Sequence, residues 1–100
     1  MSKPSEFRIS PSAPGTLALS GVLSFDTAAA ALNGIQAVLI NGAITQLDLA
    51  GITHGDSAGL ACLLAVAAEA DRRGHAVRVV HMSAAMQALA QVCEVDHLLA

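Results

Sequence analysis

Two stretches of different periodicity meet at one polar turn. Ile44-Thr45-Gln46-Leu47-Asp48-Leu49-Ala50 alternates like a strand, and Leu60 to Ala70 is the most apolar helical run of the chain. Between them stands Gly55-Asp56-Ser57-Ala58-Gly59-Leu60, an acid and a hydroxyl placed where a helix exposes its unpaired N–H groups. A strand that passes through such a turn into a helix is carried across the sheet, so the strand that follows enters parallel to it.

The same pattern extends in both directions. Phe7-Arg8-Ile9-Ser10 reads as an edge strand, Pro11 and Pro14 force a turn, and Gly15 to Gly21 alternates with Leu17 and Leu19 on one face. Asp26 or Thr27 is placed to cap a helix from Ala28 to about Ile40, with Leu32, Ile35, Gln36 and Leu39 on neighbouring turns and Asn41-Gly42 ending it. Gly51 to Gly55 is expected to be a loop, and the central helix to run from Ser57 to Arg73, stopped by Gly74. Ala76 to His81 reads as a further strand. Ser83 caps a last helix whose Met86, Leu89, Ala90 and Cys93 face inward, and Asp96 to Ala100 adds a short turn. Strand, strand, helix, strand, helix, strand, helix is the order of an α/β fold: a small mixed sheet of four to five strands with crossover helices.

One hundred residues supply one core, so residues 1–100 are expected to form a single domain with 1–6 as a flexible tail. Phe7 and Phe25 are the two aromatic residues, which makes that core thin and aliphatic. Charged residues are 13% of the chain and the net charge is −3, so there is no basic surface for a nucleic acid backbone. A domain with so little charge leaves neutral surface that favours lasting association with a partner. The start of the chain lacks an apolar signal core, and no stretch approaches the roughly 18 apolar residues needed to span a bilayer. A cytoplasmic protein without direct membrane insertion is expected. Cys62 and Cys93 read as small buried hydrophobes, reduced and unpaired.

Gly55-Asp56-Ser57-Ala58-Gly59 satisfies the G-x-S-x-G nucleophile elbow, which would make Ser57 a catalytic serine. The remaining machinery is missing. Asp71 lies far down the same helix, His97 is the other candidate, and no loop before the strand supplies a second oxyanion donor. No catalytic residue is therefore assigned. His54, His75, His81 and His97 lack the spacing of a metal site, and neither a metal nor a cofactor is expected.

A second reading has Asp56 or Ser57 simply capping the helix, worth about 1 kcal/mol. Capping leaves the opposite helix face unexplained. On a wheel, Leu60, Leu63, Leu64 and Ala67 form the inward stripe, while Ala58, Cys62, Ala65 and Glu69, flanked by Val66 and Arg72, point outward with no charge in the first two turns. Small uncharged side chains let another protein's backbone come close. Thr53 and His54 in the preceding loop, Asp56, Ser57, Ala58 and Gly59 at the turn, and Cys62, Ala65, Val66 and Arg72 along the helix are thus the expected partner-binding residues.

Leu47-Asp48-Leu49, Asp56-Ser57-Ala58-Gly59-Leu60 and Arg72-Arg73-Gly74 followed by a strand resemble the STAS domain of anti-sigma-factor antagonists. Leu17-Ala18-Leu19-Ser20-Gly21 matches the early strand-and-glycine signature and Met86 to Val95 the final helix, so the resemblance covers nearly the whole chain. Within that family it is most similar to the MlaB-type STAS subunit of the bacterial lipid-asymmetry ABC transporter, with Ala58 and Ala61 where antagonists more often carry Ser or Thr and Gly. The resemblance implies a STAS-like fold and a non-enzymatic cytoplasmic subunit of the Mla phospholipid-transport complex. Such a subunit binds the ATPase subunit and, through it, sits beside the permease at the inner membrane. The alternative it implies is an anti-sigma-factor antagonist that meets an anti-sigma factor kinase and is phosphorylated at Ser57, which falls at the family's functional hydroxyl position.

Overall fold

The computed structural model describes residues 7–40 and 43–99. The tail at 1–6, the helix stop at Asn41-Gly42 and the terminal Ala100 lie outside the described residues. In chain order the elements are β1 (Phe7–Pro11), β2 (Thr16–Leu23), α1 (Ala28–Leu39), β3 (Gln46–Gly55), α2 (Ser57–Arg72), β4 (Arg78–Val80) and α3 (Ala84–Val92), followed by a 3-10 turn at Asp96–Leu98. The strands lie in the order β1-β2-β3-β4, with β1 antiparallel to β2 and the other pairs parallel. This is the expected α/β fold, with a four-stranded mixed sheet and crossover helices. Among the described residues no helix is long and apolar enough to cross a membrane.

Alternation along β2 and β3 drives Leu17, Leu19, Leu23, Leu47 and Leu49 to one face of the sheet, where all are buried. Ala31, Ile35 and Leu39 of α1 and Leu60, Leu63 and Val66 of α2 close over them. Each buried Leu, Ile or Val contributes about 1.5–3 kcal/mol, so aliphatic side chains supply most of what holds the layers together. Phe7 and Ile9 of β1 pack at the margin of this core.

The larger departures from expectation fall at three places. The segment Gly51–Gly55 is not a loop but the second half of β3, still paired with β2 through Leu23↔Gly55. Register shifts after Ala18 and after Gly21 insert extra residues into β3, so the strand bends while it stays paired, which strict alternation in the sequence does not register. The strand expected over Ala76–His81 shrinks to Arg78–Val80, because His81 takes a left-handed backbone (φ 60) and ends it. Cys93 does not face inward. It is the exposed C-cap of α3, beyond which Glu94 (φ 58) turns the chain back.

Candidate functional site

Asp56 joins three elements. As N-cap of α2 it accepts from Gly59 N through Oδ1 (3.0 Å), and through Oδ2 it accepts from Phe25 N (3.2 Å) in the turn after β2. Its own N–H donates to Leu23 O (3.3 Å) at the end of β2. That turn is fixed in addition by Thr27, whose hydroxyl donates to Val22 O (2.8 Å) and accepts from Ser24 N (3.0 Å). Thr27 is the N-cap residue of α1, but its hydroxyl is spent on the turn rather than on the helix. The start of α2 therefore stands on a hydrogen-bonded platform, with buried Gly59 pressed against the Leu23 backbone.

Ser57 is the first residue of α2, exposed and beside the cap rather than the cap itself. The exposed face that it opens runs through Ala61, Ala65 and Ala68 to Arg72. Cys62 and Val66 do not belong to it: they are 5% and 0% exposed and part of the core. The wheel followed the leucines, whereas the helix is rotated by roughly a quarter turn. Gly59, lacking a side chain, allows the closest approach to the sheet, which brings residues 59, 63, 66 and 70 inward and leaves Leu64 half-buried on the flank. Ala65 is on the exposed side, whereas Ala58, expected there too, is half-buried.

Thr53 and His54 are exposed at the end of β3, where Thr53 Oγ1 donates to Gly21 O (3.1 Å), so they adjoin Asp56, Ser57 and Ala58. Arg72 is not brought to this end. It lies about 22 Å along the helix from Ser57 and, with Arg73, bridges Glu69. Phe25, which the sequence reading passed over, is 82% exposed and hangs from the backbone that Asp56 holds. An aromatic inside the polar turn Ser24-Phe25-Asp26-Thr27 was the signal for it.

Among the described residues the nucleophile-elbow pattern gathers no serine triad. A His–carboxylate pair does form, His81 Nδ1 to Asp48 Oδ1 at 2.9 Å, but it joins the start of β3 to the end of β4, about 20 Å along the strand from the turn that carries Ser57. Burial pushes the Cys62 thiol up to about 11, so it stays protonated and unreactive at neutral pH.

A comparison with protein-family models matches residues 8–100 to the family described as "Mlab, STAS domain". The chain belongs to the STAS domain family. Among solved structures it is similar to an anti-sigma factor antagonist from Mycobacterium paratuberculosis, at TM-score 0.76 and 22% identity over 97% of this chain and 86% of that one. It is also similar to the anti-sigma factor antagonist SpoIIAA in its unphosphorylated form, at TM-score 0.65 and 18% identity over 86% and 82% of the two chains. The phosphorylated form of SpoIIAA, a Bacillus cell fate determinant, gives TM-score 0.67 and 16% identity over 93% and 87%. These likenesses establish a shared fold. A comparison with curated proteins finds no match.

The electrostatics of this STAS domain put its acids to structural use. The Gly59 N–H, assisted by those of Phe25 and Ala58 and by nearby His54, holds the Asp56 carboxyl below its ordinary range. The Ala50 N–H and then His81 do the same for Asp48. A carboxylate depressed on folding contributes stability that is complete above its unfolded pKa and is lost as pH falls through its folded one. The stability that these two carboxylates contribute should accordingly be complete down to about pH 5 and fall away below about pH 4. In Asp56→Asn that acid loss should be shallower than in the wild type, as read from urea midpoints across pH. A slope identical to wild type would show that Asp56 is not one of the groups responsible.

Proposed function

We propose that this chain is the non-enzymatic STAS subunit of an Mla-type phospholipid-transport ABC complex, acting as one domain over residues 1–100. It docks on the cytoplasmic ATPase subunit, reaches the inner membrane and permease through that subunit, and supports assembly and activity in outer-membrane lipid asymmetry. The observation that carries this reading is the exposed, uncharged face Ser57, Ala61, Ala65 and Ala68, which begins at a hydrogen-bonded platform and adjoins exposed Thr53, His54 and Phe25. Side chains this small admit a partner's backbone closely and lose little entropy when covered. The family model's mention of Mlab supports the transporter as the setting.

Ser57 sits at the rim of that face with Asp56 at its back. A negative group there adds charge beside a carboxylate that already accepts the Gly59 N–H, and it must be desolvated on docking. Ser57→Glu is expected to weaken binding to the purified ATPase subunit about tenfold or more while leaving the melting temperature nearly unchanged. Titration calorimetry with that subunit tests both statements, and wild-type protein that fails to bind it would end the transporter reading.

The exposed hydroxyl at the N-terminus of α2 favours a second reading, an anti-sigma-factor antagonist switched by phosphorylation of Ser57. The two separate by partner. Mass spectrometry of the native assembly should find ATPase and permease subunits in the first case and an anti-sigma factor kinase in the second.

A further inference from the structure

We infer that Phe25 is the anchor of the docking surface, and that it is received by an apolar pocket rimmed by Lys or Arg on a partner protein. This rests on the docking reading above and adds the residue that engages and the charge of what receives it.

Phe25 is 82% exposed, yet its backbone is ordered before any partner arrives. Its N–H donates to Asp56 Oδ2, the neighbouring Ser24 N–H donates to Thr27 Oγ1, and Ala28 N donates to Ser24 O at 2.8 Å. A large ring on a rigid support has little backbone entropy left to lose on binding, which is the condition under which one aromatic supplies much of an interface's affinity.

Charge decides the occupant. Asp26 is exposed beside Phe25 and the Asp56 carboxylate lies behind its N–H, so the charged side chains next to the ring are acidic, while Arg8 stands on β1 opposite Ser20 and His54 near the end of β3. Arg72 and Arg73 stand at the far end of α2, and Arg78 opens β4 opposite Gln46, where β3 begins. A second copy docked with its two-fold axis beside Phe25 would set Asp26 and Asp56 near their own kind, and an anionic lipid leaflet would be repelled in the same way. A basic rim on a protein partner is attracted and oriented.

The test begins with photo-cross-linking in the native cell from the variant Phe25→p-benzoylphenylalanine, the cross-linked peptide being mapped by mass spectrometry. The expected product joins residue 25 to apolar residues of another protein with Lys or Arg beside them. A cross-link to a second copy of this chain, to lipid, or to an acidic surface, or no cross-link at all, overturns the inference. The identity of the cross-linked protein tests the functional reading separately: a product with a basic-rimmed pocket on a protein other than the ATPase keeps the anchor and removes the transporter. In parallel, Phe25→Ala should weaken binding of the full chain to the cross-linked partner about 30-fold, and Phe25→Leu less. Its melting temperature should stay within about 3 °C of wild type, since the ring touches little in the free domain. Affinity of Phe25→Ala within about threefold of wild type would show that the ring is a bystander.

Discussion

Gly59→Ala is expected to destabilise the domain by about 3 kcal/mol, although alanine is the better helix former by about 1 kcal/mol. A Cβ built on Gly59 stands 2.1 Å from Leu23 O and 2.9 Å from Leu23 C, and both are backbone atoms of the last residue of β2, held by its pairing with Gly55 of β3 and by the Asp56 N–H. Neither can rotate away, so either α2 lifts or β2 bends. Lifting α2 also stretches the Asp56 bonds to Leu23 O and Phe25 N, which spreads the damage to the platform under the docking surface. Gly55 makes a useful contrast: its added Cβ would meet Met86 Sδ at 2.4 Å, but that thioether is the flexible end of a side chain and can turn aside. Denaturant midpoints should thus fall much further for Gly59→Ala than for Gly55→Ala, with a loss in melting temperature of roughly 15 °C for the former. Equal, small losses for the two would mean that α2 does not approach the β2 backbone this closely.

Much of this architecture could be read from residue patterns, and each place where it could not has a physical cause. Alternation in Leu17-Ala18-Leu19 and Leu47-Asp48-Leu49 found both central strands because one sheet face is buried and the other is not. The second half of β3 escaped because bulges break the period of two, and Gly51 and His54 look like loop residues when their pairing partners Ser20 and Val22 are unknown. The cap at Ser83 was legible, and that of α2 was narrowed to Asp56 or Ser57, since an acceptor two or three residues before a free N–H is a local arrangement. The rotation of α2 was not, because it depends on which residue allows the shortest distance to another element. Leucines suggested one answer and Gly59 imposed another, which moved Cys62 and Val66 into the core. Phe25 was missed for the opposite reason: hydrophobicity alone assigns a phenylalanine to the interior, and its exposure follows only from the fold of its turn.

The corrected face sharpens the largest functional effect. Ala65 lies in the middle of the exposed row between Ala61 and Ala68, so Ala65→Arg places a long charged side chain where a partner's backbone is to come closest. In the free domain it points into solvent, Arg and Ala differ little in helix propensity, and stability should change by less than about 0.5 kcal/mol. In the complex the guanidinium must either displace the partner or be buried without a counter-ion, and each route is costly. Binding to the ATPase subunit should weaken at least about 100-fold, visible as loss of co-purification with an unchanged unfolding curve. Cys62→Ser serves as the opposite control. Cys62 is buried, so a hydroxyl there should lower stability and leave the affinity of the folded fraction intact. If Ala65→Arg bound as tightly as wild type, the uncharged row of α2 would be a solvent face, and the partner would have to engage the domain elsewhere.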